Sequence, residues 1–267
     1  EQAIPCVFPE VDFPVVSGAS HYSIYFSQGV TLEAEALVQY LVQSDQAPIV
    51  QVFRNDDTGR IPAQALRRAL QRHGIEGLVD RPISGESPAS REFWARLLRE
   101  DRPGRLVIWL NGEDSKELAK NESMQNSLAS VYFSASMLAM ETPDAWLAKA
   151  RLIYPFSLPD RRAQSLRQMR VWLGAKKIPL IDERIQGGTY FTLTTVGDVV
   201  SNMQGIYSRE YFIEGIERMT EIASFFSVYP RLSLGPDQRF ASKGSYVVGF
   251  SPGGEKTVYP LSDWIVP

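Results

Sequence analysis

The chain of 267 residues is 44% hydrophobic and 22% charged, which is typical of a globular protein with a substantial core. Its net charge of −3 gives no support for nucleic acid or an anionic membrane surface as a partner. Cys6 is the only cysteine, which excludes an intrachain disulfide, and the two histidines, His21 and His73, lack metal-ligand spacing, so neither a metal nor a cofactor is predicted.

No apolar run approaches the roughly 20 residues that a membrane-spanning helix needs, so direct membrane insertion is not predicted. The opening residues, EQAIPCVFPEVDFPVV, lack the basic and apolar regions of a signal peptide, and they do not begin with Met. We therefore expect residue 1 to be a processed end or the boundary of a fragment.

Short apolar strands alternate with amphipathic helices between residues 22 and 156. The patterns predict strands over 22–26, 49–53, 77–83, 106–110, 131–136 and 151–156. They predict helices over 31–45, 61–74, 88–100 and 111–122. The run LVIWL (106–110) is typical of a parallel strand buried on both faces. This rhythm predicts an α/β fold with a doubly wound parallel sheet covered by helices.

Capping residues indicate where several helices begin or end. Gly74 is expected to follow the end of the helix over 61–74. Ser87 is expected to cap the helix over 88–100, with Pro88 at its first position. Ser208 is expected to cap a later helix over 208–226, which follows two others over 160–174 and 189–203.

The pattern changes after Tyr229 to a C-terminal β segment. Short strands are predicted at RLSLG (231–235), SYVVGF (245–250) and KTVYPL (256–261), separated by GPDQ and SPGGE. Within this segment Arg231, Arg239 and Lys243 could hold an anion. A structural role is favoured, because arginine side chains often bind carbonyl groups that turns leave open.

Polar residues follow several predicted strands, at the edge where open α/β sheets bind ligands. Asp56, Asp57 and Thr58 could bind an ammonium group or a hydroxyl, although capping of the next helix is favoured on sequence alone. Asn111 and Gly112 could hold a polar ligand, or could simply form a turn.

Three serines also lie at strand ends, namely Ser27, Ser134 and Ser136. None lies in a G-x-S-x-G elbow with an activating partner, so a catalytic nucleophile is not predicted. No glycine pattern matches a dinucleotide fingerprint or a phosphate-binding loop.

The order of elements resembles the type I periplasmic binding proteins, the family of the leucine/isoleucine/valine-binding receptors of ABC transporters. The resemblance extends over nearly the whole chain and is carried by IPCVFPEVDFPVV (4–16), HYSIYFSQGVTLEAEALVQYL (21–41), IVQVFRNDDTGRIPAQALRRAL (49–70), TYFTLTTVGDVVSNM (189–203) and YPRLSLGPDQRFASKGSYVVGF (229–250). The four to five βα units that the family places before the first stretch have no counterpart here. The acidic residue with which the family commonly binds an ammonium group falls near the serines of YFSAS (132–136).

The resemblance implies a domain organisation. Residues 16–156 would form the second, C-terminal lobe, and residues 1–15 and 157–230 a remnant of the first lobe. Residues 231–267 would be strands that cross back. The chain would then lack most of the N-terminal lobe and be a fragment of a longer polypeptide.

The resemblance also implies a function. The protein would be a non-enzymatic, periplasmic solute-binding protein of an ABC-type uptake system, with a membrane permease as partner. A small polar ligand, an amino acid or a carboxylate-like molecule, would bind between two hinged lobes. The groups implied on the sheet are Ser27, Asp56, Asp57, Thr58, Asn111, Gly112, Ser134 and Ser136.

Two alternatives remain open at this point. One is a ligand-sensing or protein-interaction domain derived from the same fold, with a degraded pocket. The other is a hydrolase or transferase on a doubly wound sheet, using Asp56 and Asp57 with a divalent metal.

Overall fold

The structure, a computed structural model, describes residues 4–14, 22–43, 47–85, 87–112, 114, 128–138, 146–205, 207–235, 238–251 and 257–267. The chain divides into two compact units, each made of two chain segments. Glu1–Gly29 and Phe156–Lys243 form what we call the helical unit, and Val30–Pro155 and Gly244–Pro267 form the sheet unit.

Strands and helices are numbered here in chain order. The strands are β1 (Cys6–Val7), β2 (Ser23–Ile24), β3 (Ile49–Arg54), β4 (Val79–Ile83), β5 (Arg105–Trp109), β6 (Ser130–Ser134), β7 (Ala150–Tyr154), β8 (Tyr246–Phe250) and β9 (Val258–Pro260). The helices are α1 (Val30–Val42), α2 (Asp57–Arg72), α3 (Arg91–Asp101), α4 (Ala135–Leu138), α5 (Pro159–Ser165), α6 (Arg167–Ala175), α7 (Glu183–Asn202) and α8 (Arg209–Ala223).

The sheet unit is built on one seven-stranded sheet with the order β4-β3-β5-β6-β7-β8-β9. The first five strands are parallel, whereas β8 and β9 are antiparallel to their neighbours. The predicted doubly wound parallel sheet is thereby confirmed. Strand β3 pairs with β4 on one side and β5 on the other, so the strand order reverses between β3 and β5.

The sheet unit's core explains the apolar runs of the sequence. All five residues of β5 are buried, as expected of a parallel strand covered on both faces. Leu37 and Leu41 of α1 and Leu66 and Leu70 of α2 belong to the same buried cluster as Trp109. Helices α1 and α2 and strands β3 and β5, which the sequence predicted to alternate, therefore share one hydrophobic core.

Gln51 is a fully buried polar residue inside this sheet, and its amide is satisfied. Its Nε2 donates to the backbone oxygen of Ala63 at 3.2 Å and to Asp80 Oδ1 at 2.8 Å. Its Oε1 accepts from Trp109 Nε1 at 3.0 Å. These bonds fix the side chains of neighbouring strands and offset the cost of burying an amide.

Helix α3 begins later than the sequence suggested. The prediction of Ser87 as cap, with Pro88 at the first helical position, is wrong: Ser90 caps the helix, its Oγ accepting from Phe93 N at 3.2 Å. The Ser87 carbonyl instead accepts a hydrogen bond from the Arg54 guanidinium. Gly74 follows the last residues of α2 with a φ of +66°, as its predicted position requires.

The helical unit contains a two-stranded parallel sheet in which Cys6 pairs with Ser23 and Val7 with Ile24. Only Ser23–Ile24 of the predicted strand over 22–26 forms a strand, and Tyr25 makes an isolated parallel bridge to Phe240. The aromatic rings of the unit pack next to this sheet. Phe26 stacks on Tyr229 at 5.1 Å between ring centroids and contacts Phe191 of α7 at 5.6 Å.

Three predictions for the helical unit differ in detail from the structure. The helix over 160–174 is divided into α5 and α6 at the buried Leu166, and the helix over 189–203 begins earlier, at Glu183, where Asp182 caps it. RLSLG (231–235) is not a strand, because the bond from Ser233 N to the Ala241 oxygen does not continue as a ladder. The cap by Ser208 is confirmed by the bond from Tyr211 N at 3.1 Å.

Some predictions fall outside the described residues. Apart from Asn111, Gly112 and Asp114, the predicted helix over 111–122 lies there. So do the middle of the GPDQ turn and most of SPGGE.

Candidate functional site

The carboxyl ends of β3 to β7 lie along one edge of the sheet, because these strands are parallel. In open α/β sheets a ligand crevice forms at this edge where the strand order reverses, here between β3 and β5. Most of the predicted site residues come to this carboxyl edge, namely Asp56, Asp57 and Thr58 after β3, Asn111 and Gly112 after β5, and Ser134 and Ser136 at the end of β6. Ser27 belongs to the helical unit instead.

The turn after β3 is organised around the Asp56 carboxylate. Asp56 Oδ1 accepts hydrogen bonds from Gly59 N at 3.0 Å and from Thr58 Oγ1 at 2.7 Å, so Asp56 is the N-cap of α2. The Gly59 amide, followed by the Thr58 hydroxyl, lowers the pKa of Asp56. Asp57 is exposed in the first helical turn. This turn therefore presents negative charge to solvent at the carboxyl edge.

An ion pair between the buried Asp114 and the partly buried Arg54 lies at the reversal point, and sequence analysis did not predict it. Arg54, the last residue of β3, contacts Asp114 through two hydrogen bonds, and the Nε bond to Oδ2 is 2.8 Å long. The two side chains are 13% and 4% exposed. The bond to Asp114 raises the pKa of Arg54, so the guanidinium stays charged. The signal in the sequence was a charged residue at the end of one buried strand and another in the segment that follows a second one.

The remaining donors of Arg54 bind the loop that follows β4. Its Nη1 donates to the Gly85 oxygen at 2.5 Å and Nη2 to the Ser87 oxygen at 2.8 Å. Asn111 Oδ1 accepts a hydrogen bond from Asp114 N at 3.0 Å. This bond holds Asp114, the other member of the ion pair, in position. Arg54 therefore ties together the segments that follow β3, β4 and β5.

The serines after β6 also bind within the sheet unit. Ser134 is buried, and its Oγ accepts from Met137 N at 3.1 Å. Ser136 donates its hydroxyl to Glu33 Oε1, and its amide nitrogen lies 3.2 Å from the same oxygen. Glu33 is fully buried in the first turn of α1, where sequence reasoning had assigned it no role.

A second group of polar residues lies inside the helical unit and includes Ser27. Its Oγ accepts from Gly29 N at 2.9 Å and shares a hydrogen bond with the buried Tyr229. Burial, and next the nearby Glu10 carboxylate, raise the pKa of the Tyr229 hydroxyl. The Tyr229 phenol is therefore a neutral donor and acceptor.

Glu10 is a carboxylate that sequence analysis also missed. Its Oε1 lies 1.7 Å from the position that a Cβ on Gly188 would occupy, and this oxygen has no hydrogen-bond partner among the described residues. Desolvation raises the pKa of Glu10 to about 7, against a smaller opposing effect of Arg184, which pairs with Asp12 at 2.7 Å. Glycine at 188 was the available signal, since a Cβ there would require the Glu10 carboxylate to move.

Two cationic side chains of the C-terminal β segment, Arg239 and Lys243, bind within the helical unit. Arg239 Nη1 donates to Glu217 Oε1 at 3.0 Å, and Lys243 Nζ donates to Ser233 Oγ at 3.1 Å and to Gln238 Oε1. These contacts agree with the structural role that the sequence favoured for Arg239 and Lys243.

Two further features of the described residues concern metal ions and membranes. Across the ranges given above, no three or more His, Cys, Asp and Glu side chains are grouped so that they could hold a metal ion. Among the helices of the described part of the chain, none has both the length and the apolar character required to cross a bilayer.

Comparisons with known proteins give matches in structure alone. No protein-family model and no curated protein sequence matches the chain. A branched-chain amino acid ABC transporter structure from Thermus thermophilus with bound valine superposes with a TM-score of 0.73 at 11% identity, over 99% of this chain and 73% of that one. A possible leucine/isoleucine/valine-binding protein from Rhodopirellula baltica SH 1 gives a TM-score of 0.73 at 16% identity, over 97% and 71%.

A third structure carries the name of the fold. Periplasmic binding protein type 1 from Bordetella pertussis Tohama I matches with a TM-score of 0.69 at 14% identity, over 97% of this chain and 75% of that one. All three superpositions extend over nearly the whole of this chain. The chain has the fold of the type I periplasmic binding proteins, the fold of branched-chain amino acid ABC transporter binding proteins.

Proposed function

We propose that the protein is a non-enzymatic solute-binding protein of an ABC-type uptake system that binds a small polar ligand. One observation carries the proposal: polar groups from the ends of β3, β5 and β6 meet at the carboxyl edge of a sheet whose fold is shared with a structure that holds valine. This edge is the usual ligand position in open α/β sheets.

The charge at the carboxyl edge favours a ligand with an ammonium or hydroxyl group. Asp56 and Asp57 are exposed there, whereas the Arg54 guanidinium is already bound to Asp114 and to two backbone oxygens. Thr58, Asn111 and Ser136 add hydroxyl and amide groups that can orient such a ligand. An amino acid fits this chemistry better than a simple carboxylate does.

The partner and the compartment follow from the same proposal. A binding protein of this kind delivers its solute to a membrane permease and works in the periplasm. The support for both is the fold shared with ABC transporter binding proteins.

A thermal-shift panel on the polypeptide of the complete reading frame that contains these 267 residues tests the proposal. The panel contains the L-amino acids, aliphatic carboxylates and aromatic acids, each at up to 10 mM. A ligand present at 100 times its Kd stabilises the native state by about 2.7 kcal/mol, which is a readily measured shift in Tm. A panel without any shift would contradict the receptor role.

Variants locate the binding once a ligand is found. Asn111→Ala and Thr58→Val each remove one polar group at the carboxyl edge, and we expect each to weaken binding about tenfold, the value of roughly one hydrogen bond to a charged group. Gln71→Ala, at an exposed position of α2, is the matched control and leaves Kd unchanged. Equal affinities for all three variants would place the ligand elsewhere.

A second candidate function is a ligand-sensing or protein-interaction domain with a degraded pocket. It is favoured by one observation, that several polar groups at the carboxyl edge bind one another: Thr58 binds Asp56, Asn111 binds Asp114 and Ser136 binds Glu33. The same panel separates the two functions, because a degraded pocket predicts no shift with any small molecule.

A further inference from the structure

An apolar groove of about 480 Å³ lies between α6 and α7 in the helical unit. Met169 and Leu173 are its buried lining residues, and the other apolar side chains of the lining stay partly exposed. Small-molecule sites have volumes of roughly 300–1,000 Å³ and are lined mainly by apolar side chains. The groove therefore has the size and the lining of a ligand site.

Two aromatic rings and a leucine form the accessible part of this lining. Trp172 of α6 and Tyr190 of α7 lie 5.9 Å apart between ring centroids, with an angle of 54° between their planes. Trp172 is 43% exposed and Leu193 of α7 is 66% exposed. An apolar ligand in the groove would remove both side chains from water, which favours its binding.

The C-terminus of α6 forms one end of the groove. Ile178 N donates to the Leu173 oxygen at 2.9 Å and Lys177 N to the Gly174 oxygen at 3.1 Å, the two bonds that define a Schellman motif. Apolar contact between the residues at the positions of Ile178 and Leu173 commonly accompanies this motif, and both line the groove. Lys177 has a φ of +57°, at the position where the motif usually has glycine. The chain therefore carries a cation next to this end of the groove.

The charges at this end favour an anionic ligand. Lys176 and Lys177 are exposed, and neither ammonium group has a partner among the described residues. The acidic side chains of the adjoining segment are already bound, since Glu183 accepts from Arg170 and Asp182 caps α7. Because lysine has a flexible four-carbon side chain, either ammonium can reach an acid group held at this end.

The polar residues of the lining are compatible with this chemistry. Gln186 Oε1 accepts from two backbone N–H groups of the loop between the helices, and its Nε2 donates to the Pro179 oxygen at 2.9 Å. Gln186 is therefore used in holding the loop. Thr189 and Thr194 are exposed, and their hydroxyl groups can donate to a carboxylate.

We propose that the groove between α6 and α7 binds an organic acid with an aliphatic body, whose chain packs between the helices and whose carboxylate binds Lys176 and Lys177. The lining residues belong to the helical unit, whereas the residues after β3, β5 and β6 belong to the sheet unit. The site is therefore distinct from the carboxyl edge, and the proposal does not depend on the transport role. A concave groove of this volume suits a small molecule better than the broad surface of a protein partner.

Isothermal titration calorimetry with decanoate and decyltrimethylammonium tests the proposal on the polypeptide of the complete reading frame that contains these 267 residues. The two probes share an unbranched decyl-type chain and differ in the sign of the head-group charge. We expect decanoate to bind at least about tenfold more tightly, because the cations lie at one end of an apolar groove. Equal affinities for the two probes, or binding of neither, would overturn the proposal.

Variants of exposed residues locate the bound decanoate. Leu193→Gln replaces an apolar lining side chain by an amide and should weaken binding at least about fivefold. Val200→Gln, at a position of α7 that is 46% exposed and outside the groove, is the matched control and leaves the affinity unchanged. Lys176→Gln combined with Lys177→Gln should weaken decanoate binding about three- to tenfold without weakening that of decyltrimethylammonium.

Two further outcomes separate this site from other occupants. Decanoate binding that is weakened by Asn111→Ala and not by Leu193→Gln would place the acid at the carboxyl edge and overturn the groove proposal, while supporting the solute-binding role. Decanoate binding that disappears as the protein self-associates at higher concentration would show that a second copy occupies the groove, and would also overturn the proposal.

Discussion

Glu10 places an ionisable group in the helical unit where its charged form is disfavoured. Desolvation raises its pKa from 4.5 to about 7, while Arg184 opposes this and the acidic Asp12 and Asp182 add to it. The native state therefore binds more protons than the unfolded state between these two values, and stability is lost as the pH rises through them. The nearby Tyr229 phenol stays neutral over the same range.

We expect the free energy of unfolding to fall by about 1–3 kcal/mol between pH 5 and pH 8 through Glu10. Glu10→Gln removes the ionisation and flattens this dependence. Urea unfolding at both pH values measures it, with Glu76→Gln, an exposed residue of the sheet unit, as the control. A dependence that is equally steep in Glu10→Gln and the parent chain would contradict the assignment.

Arg54 and Asp114 form a pair whose loss is expected to be costly. Removing one partner of a fully buried ion pair leaves an uncompensated charge, at a cost of about 3–5 kcal/mol, and the partial exposure of Arg54 places this pair at the lower end of that range. Arg54→Met and Asp114→Leu should each destabilise by amounts of this order, and the double variant by clearly less than their sum. A double-mutant cycle by denaturant unfolding measures the coupling.

The exposed pair of Arg72 and Glu35 provides the comparison for this cycle. Its side chains are 62% and 26% exposed, so its coupling should be below about 1 kcal/mol. Additive effects at Arg54 and Asp114 would show that the two side chains do not act as a pair.

At the scale of elements, the start of α2 lies directly against the end of β3. A Cβ on Gly59 would lie 2.2 Å from the backbone oxygen of Arg54, too close for any real contact. We expect Gly59→Ala to destabilise by more than about 2 kcal/mol, because backbone must shift. Gly197→Ala in α7 meets nothing within 4 Å and should stabilise by about 0.5–1 kcal/mol. Thermal unfolding of both variants provides the measurement, and a neutral Gly59→Ala would contradict the packing.

The helices and strands of the sheet unit could be predicted well because their apolar periodicity reflects burial on defined faces. The start of α7 could not, since IQGG contains two residues with low helix propensity. Tertiary packing determines where α7 begins. A Cβ on Gly187 would lie 2.7 Å from Val228 Cγ1, and one on Gly188 would lie against the Glu10 carboxylate. A side chain at either position would require the Val228 or Glu10 side chain to shift.

The candidate site was predictable in position but not in its internal contacts. Strand ends are visible in the sequence, so the residues after β3, β5 and β6 could be chosen. The pairing of Arg54 with Asp114, and of Ser136 with Glu33, joins residues far apart in the chain. No local pattern encodes such a partner, because it depends on which strands become neighbours.

At the scale of the whole molecule, the two units differ in the sheets on which they are built. The sheet unit has seven strands with a continuous core, whereas the described part of the helical unit has two short ones. We expect the amides of β5 to exchange only on global unfolding, and those of β1 and β2 to open at a lower free energy. Native-state hydrogen exchange measures both, and equal opening free energies would contradict this difference.

The antiparallel pair β8–β9 has a consequence for how the protein is made. Leu152 of β7 pairs with Val248, a residue synthesised long after it, so the outer edge of β7 stays open while the intervening chain leaves the ribosome. A nascent chain halted before Tyr246 would carry the parallel strands with the edge of β7 unpaired. Such an edge can be bound by chaperones or can pair with another chain and aggregate. The segment from Tyr246 to Pro260 thus covers the edge of strands that are translated long before it.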